Sequence, residues 1–213
     1  MKSNPLVLRK HQAELQKQLN YRASGFISWK TPILLHAIPA AGKSLCSMIV
    51  AKTVIERGIA EKIAVLTPRK PLCWQAANDF CDPNNRALTN CSYEIVESTN
   101  EIQPSKGTEG YTTTHQAIMA DVAGINEWEF INNKYALVID EFHHLKVGSK
   151  GHQAIQALIN HAECVLLMTG TLYRHDKKPL AFLNYVPAND GQWKVDKKNG
   201  NFSYIEYSRR DAL

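Results

Sequence analysis

Residues Leu34 to Ser44, reading Leu-Leu-His-Ala-Ile-Pro-Ala-Ala-Gly-Lys-Ser, constrain the fold of this chain more than any other stretch. An apolar strand-forming run breaks into a turn of small residues, and Lys43-Ser44 then open a helix-forming segment. A strand that feeds directly into a helix belongs to an α/β architecture. It is also the layout of a phosphate-binding loop. Small residues at Pro39, Ala40, Ala41 and Gly42 let backbone N–H groups approach an anion at which a helix N-terminus points. Lys43 adds a fixed cation and Ser44 a hydroxyl for Mg²⁺.

The rest of the chain repeats the alternation. Strands are predicted at Ile33–Ile38, Ile63–Thr67, Tyr93–Glu97, Gly110–Thr113, Ala136–Asp140 and Val165–Thr169. Helices are predicted at Leu8–Leu19, Lys43–Arg57, Pro71–Phe80, Gln116–Asp121 and Gly151–His161. Ala136–Ile139 and Val165–Met168 are apolar at every position, as central parallel strands covered by helices on both faces must be. The fold class is therefore α/β with a mainly parallel sheet. Trp74 and Phe80 are expected in the core, and Trp29 and Trp128 at its edge. The polar segment Ser98–Thr108, with Pro104 and Gly107, reads as a mobile surface loop. From Val186 to Gly200 the sequence resembles a tail or linker, and Phe202–Tyr207 alternates like an edge strand. The text then stops at Ser208–Leu213 without a helix end or turn signal, which reads as a truncated chain.

Composition excludes little but usefully. A net charge of +5 on 213 residues permits a nucleic-acid partner without requiring one. Cys46, Cys73, Cys81, Cys91 and Cys164 form no CxxC pair, and an odd number suits a reducing compartment. The N-terminus lacks a signal-peptide core, and no run approaches the ~20 apolar residues of a membrane span. A cytoplasmic protein with no membrane partner is expected.

The second chemical feature is Ala136-Leu137-Val138-Ile139-Asp140-Glu141-Phe142-His143. A buried strand here delivers two carboxylates at its C-terminal tip, the edge of a parallel sheet where ligands bind. The phosphate loop also follows a strand tip, so the two should face one another. Asp140 is then placed to hold Mg²⁺ through water and Glu141 to orient and deprotonate an attacking water. His143 and His144 lack the HExxH spacing of a zinc site.

Asp140-Glu141-Phe142-His143 resembles the DExH box of superfamily-two helicases and translocases, and Ala37–Ser44 resembles their motif I. Leu8-Arg9-Lys10-His11-Gln12 resembles the adenine-reading Q motif, in which Gln12 would read the base with Arg9 in support. Val65–Leu72, with Gln75 beyond, resembles motif Ia. Tyr111–Gln116 resembles the Thr-Tyr-Gln segment that touches the nucleic-acid backbone, and Thr169-Gly170-Thr171-Leu172 resembles motif III. The nearest branch holds type III restriction subunits and phage-type DNA helicases.

The resemblance covers residues 8 to about 175 and implies a RecA-like P-loop NTPase lobe using ATP and Mg²⁺, the metal held by Ser44 and Asp140. Lys43, Asp140 and Glu141 would be catalytic. Thr169, Gly170, Thr171 and His143 would couple the nucleotide to movement. Pro68, Arg69, Lys70, Thr114 and Gln116 would meet nucleic acid, DNA rather than RNA. The lobe is expected over residues 1–185, with 186–213 as linker and edge strand leading to a second RecA-like lobe in cis. That second lobe, with its arginine fingers, is missing from these residues.

Two departures stand out. Ala40 occupies a position where the family usually has glycine; if it needs φ > 0, alanine costs ~1–2 kcal/mol or reshapes the loop. His115 replaces the usual tyrosine. The alternative is a non-catalytic nucleic-acid-binding or scaffold module on a degenerate loop, which Ala40 supports and the retained Lys43, Ser44, Asp140 and Glu141 oppose. A P-loop ATPase acting on protein is a third reading, opposed by the Q-like and Thr-Pro-Arg segments.

Overall fold

The computed structural model describes residues 7–173, 179–187, 193–198 and 201–211. Helix α1 (Lys10–Ala23) leads into β1 (Ile33–Ala37), α2 (Ser44–Glu56), β2 (Lys62–Thr67), α3 (Lys70–Cys81) and the short α4 (Pro83–Thr89). Next come β3 (Ile95–Glu97), β4 (Gly110–Thr114), α5 (His115–Met119), α6 (Ile125–Asn132) and β5 (Tyr135–Ile139). A 3₁₀ turn at Phe142–His144 precedes α7 (Lys150–His161) and β6 (Cys164–Thr169). The remaining described strands are β7 (Tyr185–Pro187), β8 (Trp193–Val195) and β9 (Ser203–Tyr207).

Seven strands form one sheet in the order β3-β4-β2-β5-β6-β1-β9, and every pairing in it is parallel. Strand residues alternate between two cores. Ile33, Leu35, Ile63, Val65, Ala136 and Val138 face the side covered by α1, α2 and α3, with Leu15, Leu19, Met48, Val50 and Phe80. Leu34, Ala64, Leu66, Leu137 and Ile139 face α5, α6 and α7, with Phe130, Ile155 and Leu158. Burial on both faces is why the central strands read as unbroken apolar runs.

Each strand and helix expected from sequence is present, with ends displaced. The first helix starts two residues later than expected, at Lys10, and runs on to Ala23. The carboxylate-bearing strand ends at Ile139, although the Asp140 N–H still donates to Leu66 O at 2.8 Å. Phe80 is buried as expected, whereas Trp74 is 67% exposed and Trp128 is also exposed. The inward face of α3 carries Cys73 and Phe80, and Trp74, one step round the helix from Cys73, points outward. The 98–108 segment is exposed at Ile102 but buried at Ser98 and Ser105. Asn100 donates to Ala117 O at 2.8 Å and accepts from Asn126 Nδ2 at 3.0 Å, bracing the segment against α5 and α6.

The tail-like region contains structure of its own. Tyr185–Pro187 and Trp193–Val195 pair antiparallel, while residues 188–192, 199–200 and the terminal 212–213 lie outside the described residues. The expected edge strand is present as β9, parallel to β1, with Ile205 and Tyr207 inside the α1–α3 core. Helix α1 clasps that strand. Its buried Arg22 donates to Ser203 Oγ at 2.9 Å and Thr31 O at 3.0 Å. His11, fully buried, packs on the Tyr207 ring with centroids 4.4 Å apart. Burial, with Arg9 and Lys43 nearby, pushes its pKa down to about 4, so it is neutral at pH 7.

Candidate active site

Because the sheet is parallel, the C-terminal ends of its strands lie along one edge. The register sets His36 beside Thr169, Thr67 beside Thr114 and Leu66 beside Ile139. Every segment with a functional resemblance, apart from the Q-like one on α1, leaves the sheet along this edge.

The phosphate loop bends through two left-handed residues, Ala40 at φ 60° and Gly42 at φ 76°. The loop therefore keeps its turn and carries the strain of alanine instead of reshaping. Arg9 Nη1 donates to Ala40 O at 2.9 Å, and Gln12 Nε2 donates to Gly42 O at 3.0 Å. The other end of the Gln12 carboxamide accepts from Arg9 N at 2.8 Å, closing the first turn of α1. The Q-like residues thus brace the loop directly, and a Cβ on Gly42 would meet Gln12 Nε2 at 3.1 Å. At Ala40, Ala40→Gly would remove ~1–2 kcal/mol of left-handed strain and give back ~0.5–1 kcal/mol of unfolded-chain entropy. A net stabilisation of up to ~1.5 kcal/mol is expected by denaturant titration; a clear loss of stability would contradict the strain.

Helix α2 starts at Ser44 with no side-chain cap and no acidic residue in its first turn, which leaves its N-terminal amides to an anion. Lys43 Nζ instead forms an ion pair with Glu141 Oε1. Glu141 is itself left-handed, at φ 48°, an outlier held by its surroundings. Its N–H donates to Asp140 Oδ1 at 3.0 Å, and its Oε2 accepts from the Gly170 N–H at 3.0 Å. His143 Nδ1 lies 3.1 Å from Glu141 Oε2 and 3.0 Å from Thr169 Oγ1. Thr169 Oγ1 in turn donates to Thr171 O at 2.7 Å. The expected catalytic and coupling residues therefore form one continuous network.

Its electrostatics differ from residue to residue. Burial pushes Asp140 up to about 6 against the pull of Lys43, with Glu141 adding to the rise. Burial also pushes Glu141 upward, but Lys43, the Gly170 amide and His143 together hold it below the ordinary glutamate value. Burial and the His144 ring lower His143 against the attraction of Glu141. One lysine is thus shared between two carboxylates, the condition under which a polyphosphate and a divalent cation fit together. Lysine, serine hydroxyl, uncapped helix amides and two carboxylates are the donor set that a nucleotide–Mg²⁺ complex needs.

A cleft of about 570 Å³ extends from Pro39, Glu141, His143 and Thr171 to Pro68 and Arg69. It joins the nucleotide side to the face expected for nucleic acid. Arg69 and Lys70 are exposed there, with Lys70 Nζ 3.9 Å from Glu97. Gln116 is exposed too, while the Thr114 hydroxyl accepts from Ala117 N at 3.0 Å and caps α5. His115, in the usual tyrosine position, is buried, and its Nε2 has no partner among the described residues. Among the described residues no helix is long and apolar enough to cross a membrane.

One residue beside the site was not foreseen from sequence: Ser47, in the first turn of α2, lines a small cavity with Ser44, Thr67, Gln75 and Asp140.

Comparison with known proteins follows the same lines. The family model described as type III restriction enzyme, res subunit, matches residues 5–174. Two uncharacterized Mycobacterium tuberculosis proteins, from strains CDC 1551 and H37Rv, are each 26% identical over 155 residues, 73% of this chain and 25% of theirs. The chain thus spans about a quarter of the length of the curated relatives it matches.

Among solved structures, the UvsW helicase of bacteriophage T4 matches with TM-score 0.56 and 18% identity, covering 78% of this chain and 54% of that one. The Pyrococcus furiosus Hef helicase domain matches at 0.57 and 20%, covering 76% and 33%. The Sulfolobus solfataricus SWI2/SNF2 ATPase core in complex with dsDNA matches at 0.56 and 17%, covering 80% and 33%. At these identities the likeness shows the fold, that of one RecA-like lobe.

Proposed function

The chain belongs to the type III restriction enzyme, res subunit family, and from that premise we propose that it is the N-terminal motor lobe of an ATP-driven helicase or translocase. The observation that carries this reading is the convergence of Lys43, Ser44, Asp140 and Glu141 at one sheet edge, with Glu141 bonded to Gly170 and His143 to Thr169.

Bound ATP–Mg²⁺ supplies the γ-phosphoryl group for transfer to water. Ser44 and Asp140 would hold the metal, Asp140 through water. Lys43 would neutralise the β- and γ-phosphates and so must leave Glu141. Freed of its cation, Glu141 becomes the base that orients and deprotonates the attacking water. Because Gly170 and His143 grip the same carboxylate, that exchange is felt at Thr169 and Thr171. The track would follow Pro68, Arg69, Lys70, Thr114 and Gln116. DNA is favoured because one similar core was solved with dsDNA. In the intact protein, residues 1–185 would form this lobe and 186–213 lead to a second RecA-like lobe in cis. The cell compartment proposed is the cytoplasm.

The rival reading, a non-catalytic nucleic-acid-binding or scaffold module, draws on the strained Ala40. Nucleic-acid-stimulated ATP hydrolysis by a longer, two-lobe version separates the two, since only the motor hydrolyses. The track has its own test. One lobe offers few phosphate contacts, so labelled single strands should bind with Kd on the order of 10⁻⁴–10⁻⁶ M and release as salt rises. Fluorescence anisotropy should record a weaker affinity after Arg69→Ala with Lys70→Ala. An unchanged affinity would remove this face as the track.

A further inference from the structure

Helix α3 turns an indole outward. Trp74 is 67% exposed while its neighbours Cys73 and Phe80 are buried, although a large apolar ring gains most from leaving water. The exposed residues around it on α3 are Lys70, Pro71, Gln75 and Asn78. On this helix no other large apolar side chain is exposed, so the indole stands alone and is not part of the kind of patch that docks a protein.

Its charged neighbours are cations. Lys70 and Trp74 lie four residues apart, hence on one side of the helix and one turn, ~5.4 Å, along it. The Lys70 side chain is 80% exposed, and its Nζ stands 3.9 Å from Glu97, beyond hydrogen-bond reach. Arg69, just before the helix, is exposed and lines the cleft that runs to Glu141 and Thr171. Two cations and an aromatic face thus follow one another from the cleft onto α3. Proteins hold single strands with this pairing: lysine and arginine take the phosphates, and an unpaired base stacks on the ring.

We propose that Trp74 is a base-stacking residue beside Lys70, and that the strand bound there carries unpaired bases. The inference rests on the nucleic-acid track proposed above and deepens it, since it names the substrate as single-stranded. In a duplex the bases are stacked on one another and are not free to lie on the ring. Trp74 therefore favours single strands over duplexes, without regard to sequence, because every base has a π-face.

The test is fluorescence anisotropy of the 213-residue chain with three labelled probes: a single strand, the same strand with abasic sites throughout, and its duplex. Trp74→Ala should weaken the single strand about tenfold and leave the abasic strand and the duplex unchanged. Trp74→Phe, which keeps a ring, should recover most of the loss. Trp74→Ala should also keep the salt dependence of the unsubstituted chain, because the indole releases no counterions, whereas Arg69→Ala with Lys70→Ala should flatten it. Trp128→Ala removes a comparably exposed indole next to Glu127 on α6 and should change nothing. Unchanged single-strand affinity in Trp74→Ala, or an equal loss on all three probes, would overturn the assignment. If the Arg69–Lys70 variant still weakens binding in that case, the track stands without the indole. If neither variant does, track and inference fall together.

Discussion

Replacing Lys43 with alanine is expected to weaken ATP–Mg²⁺ binding by an order of magnitude or more, read by calorimetric titration of the chain and the variant. Hydrogen bonds to charged groups contribute ~1.5–3 kcal/mol each, and ~1.4 kcal/mol is tenfold in affinity. Breaking the ion pair with Glu141 offsets part of that gain. Lys43 is the main cation holding Glu141 down against burial, and it also draws Asp140 down. Without it, a polyphosphate would meet two carboxylates and no fixed positive charge in the loop. Equal affinity in the two proteins, or a preference for GTP over ATP, would remove the adenine-nucleotide assignment.

The second large effect concerns turnover. The 213-residue chain alone is expected to release phosphate at a rate near background, with or without nucleic acid, although Lys43, Asp140 and Glu141 are all present. Catalysis of phosphoryl transfer is mostly positioning and electrostatic stabilisation, and an arginine finger accounts for ~10³–10⁵ in kcat. In the helicase family those arginines come from a second lobe, which these residues do not contain. The cleft bounded by Pro39, Glu141, His143 and Thr171 lies open along the strand tips. A γ-phosphate there would stay in contact with solvent, which screens each charge around it. Adding the proposed second lobe should restore turnover, and Glu141→Gln in that longer protein should abolish it. Robust hydrolysis by the 213 residues, lost on Glu141→Gln, would contradict the two-lobe account.

What could be read from the residues was whatever local pattern determines. An apolar run into Pro-Ala-Ala-Gly-Lys-Ser announces strand, turn and helix, and four apolar residues before Asp140 announce a buried strand with an acidic tip. Both signals are contiguous, and both segments leave the same edge of a parallel sheet. Contacts formed across the chain were not legible. Gln12 reaches Gly42 O only because α1 docks on the face of the sheet that carries α2. Helix α4 hid in Pro-Asn-Asn text that reads as a turn, yet Pro83 starts it and Asp82 caps it through Asn84 and Asn85. Trp74 was misread by residue type, where the spacing of Cys73 and Phe80 already placed it outside.

The position of β9 bears on how the lobe is made. β1 lies between β6 and β9, so the strand that launches the phosphate loop gets its second neighbour only from β9, the last of the described strands. The loop depends on that neighbour as well: Ile38 N–H donates to Tyr207 O at 3.2 Å, and Tyr207 covers His11 beside Arg9 and Gln12. During synthesis the sheet can assemble from β1 to β6 while β1 still presents an unpaired edge, which is both adhesive and slow to close over such a sequence separation. Competence to grip nucleotide is therefore acquired only after β9 has emerged and docked. A nascent chain stalled before it would hold most of its core but leave the phosphate loop without its supporting strand.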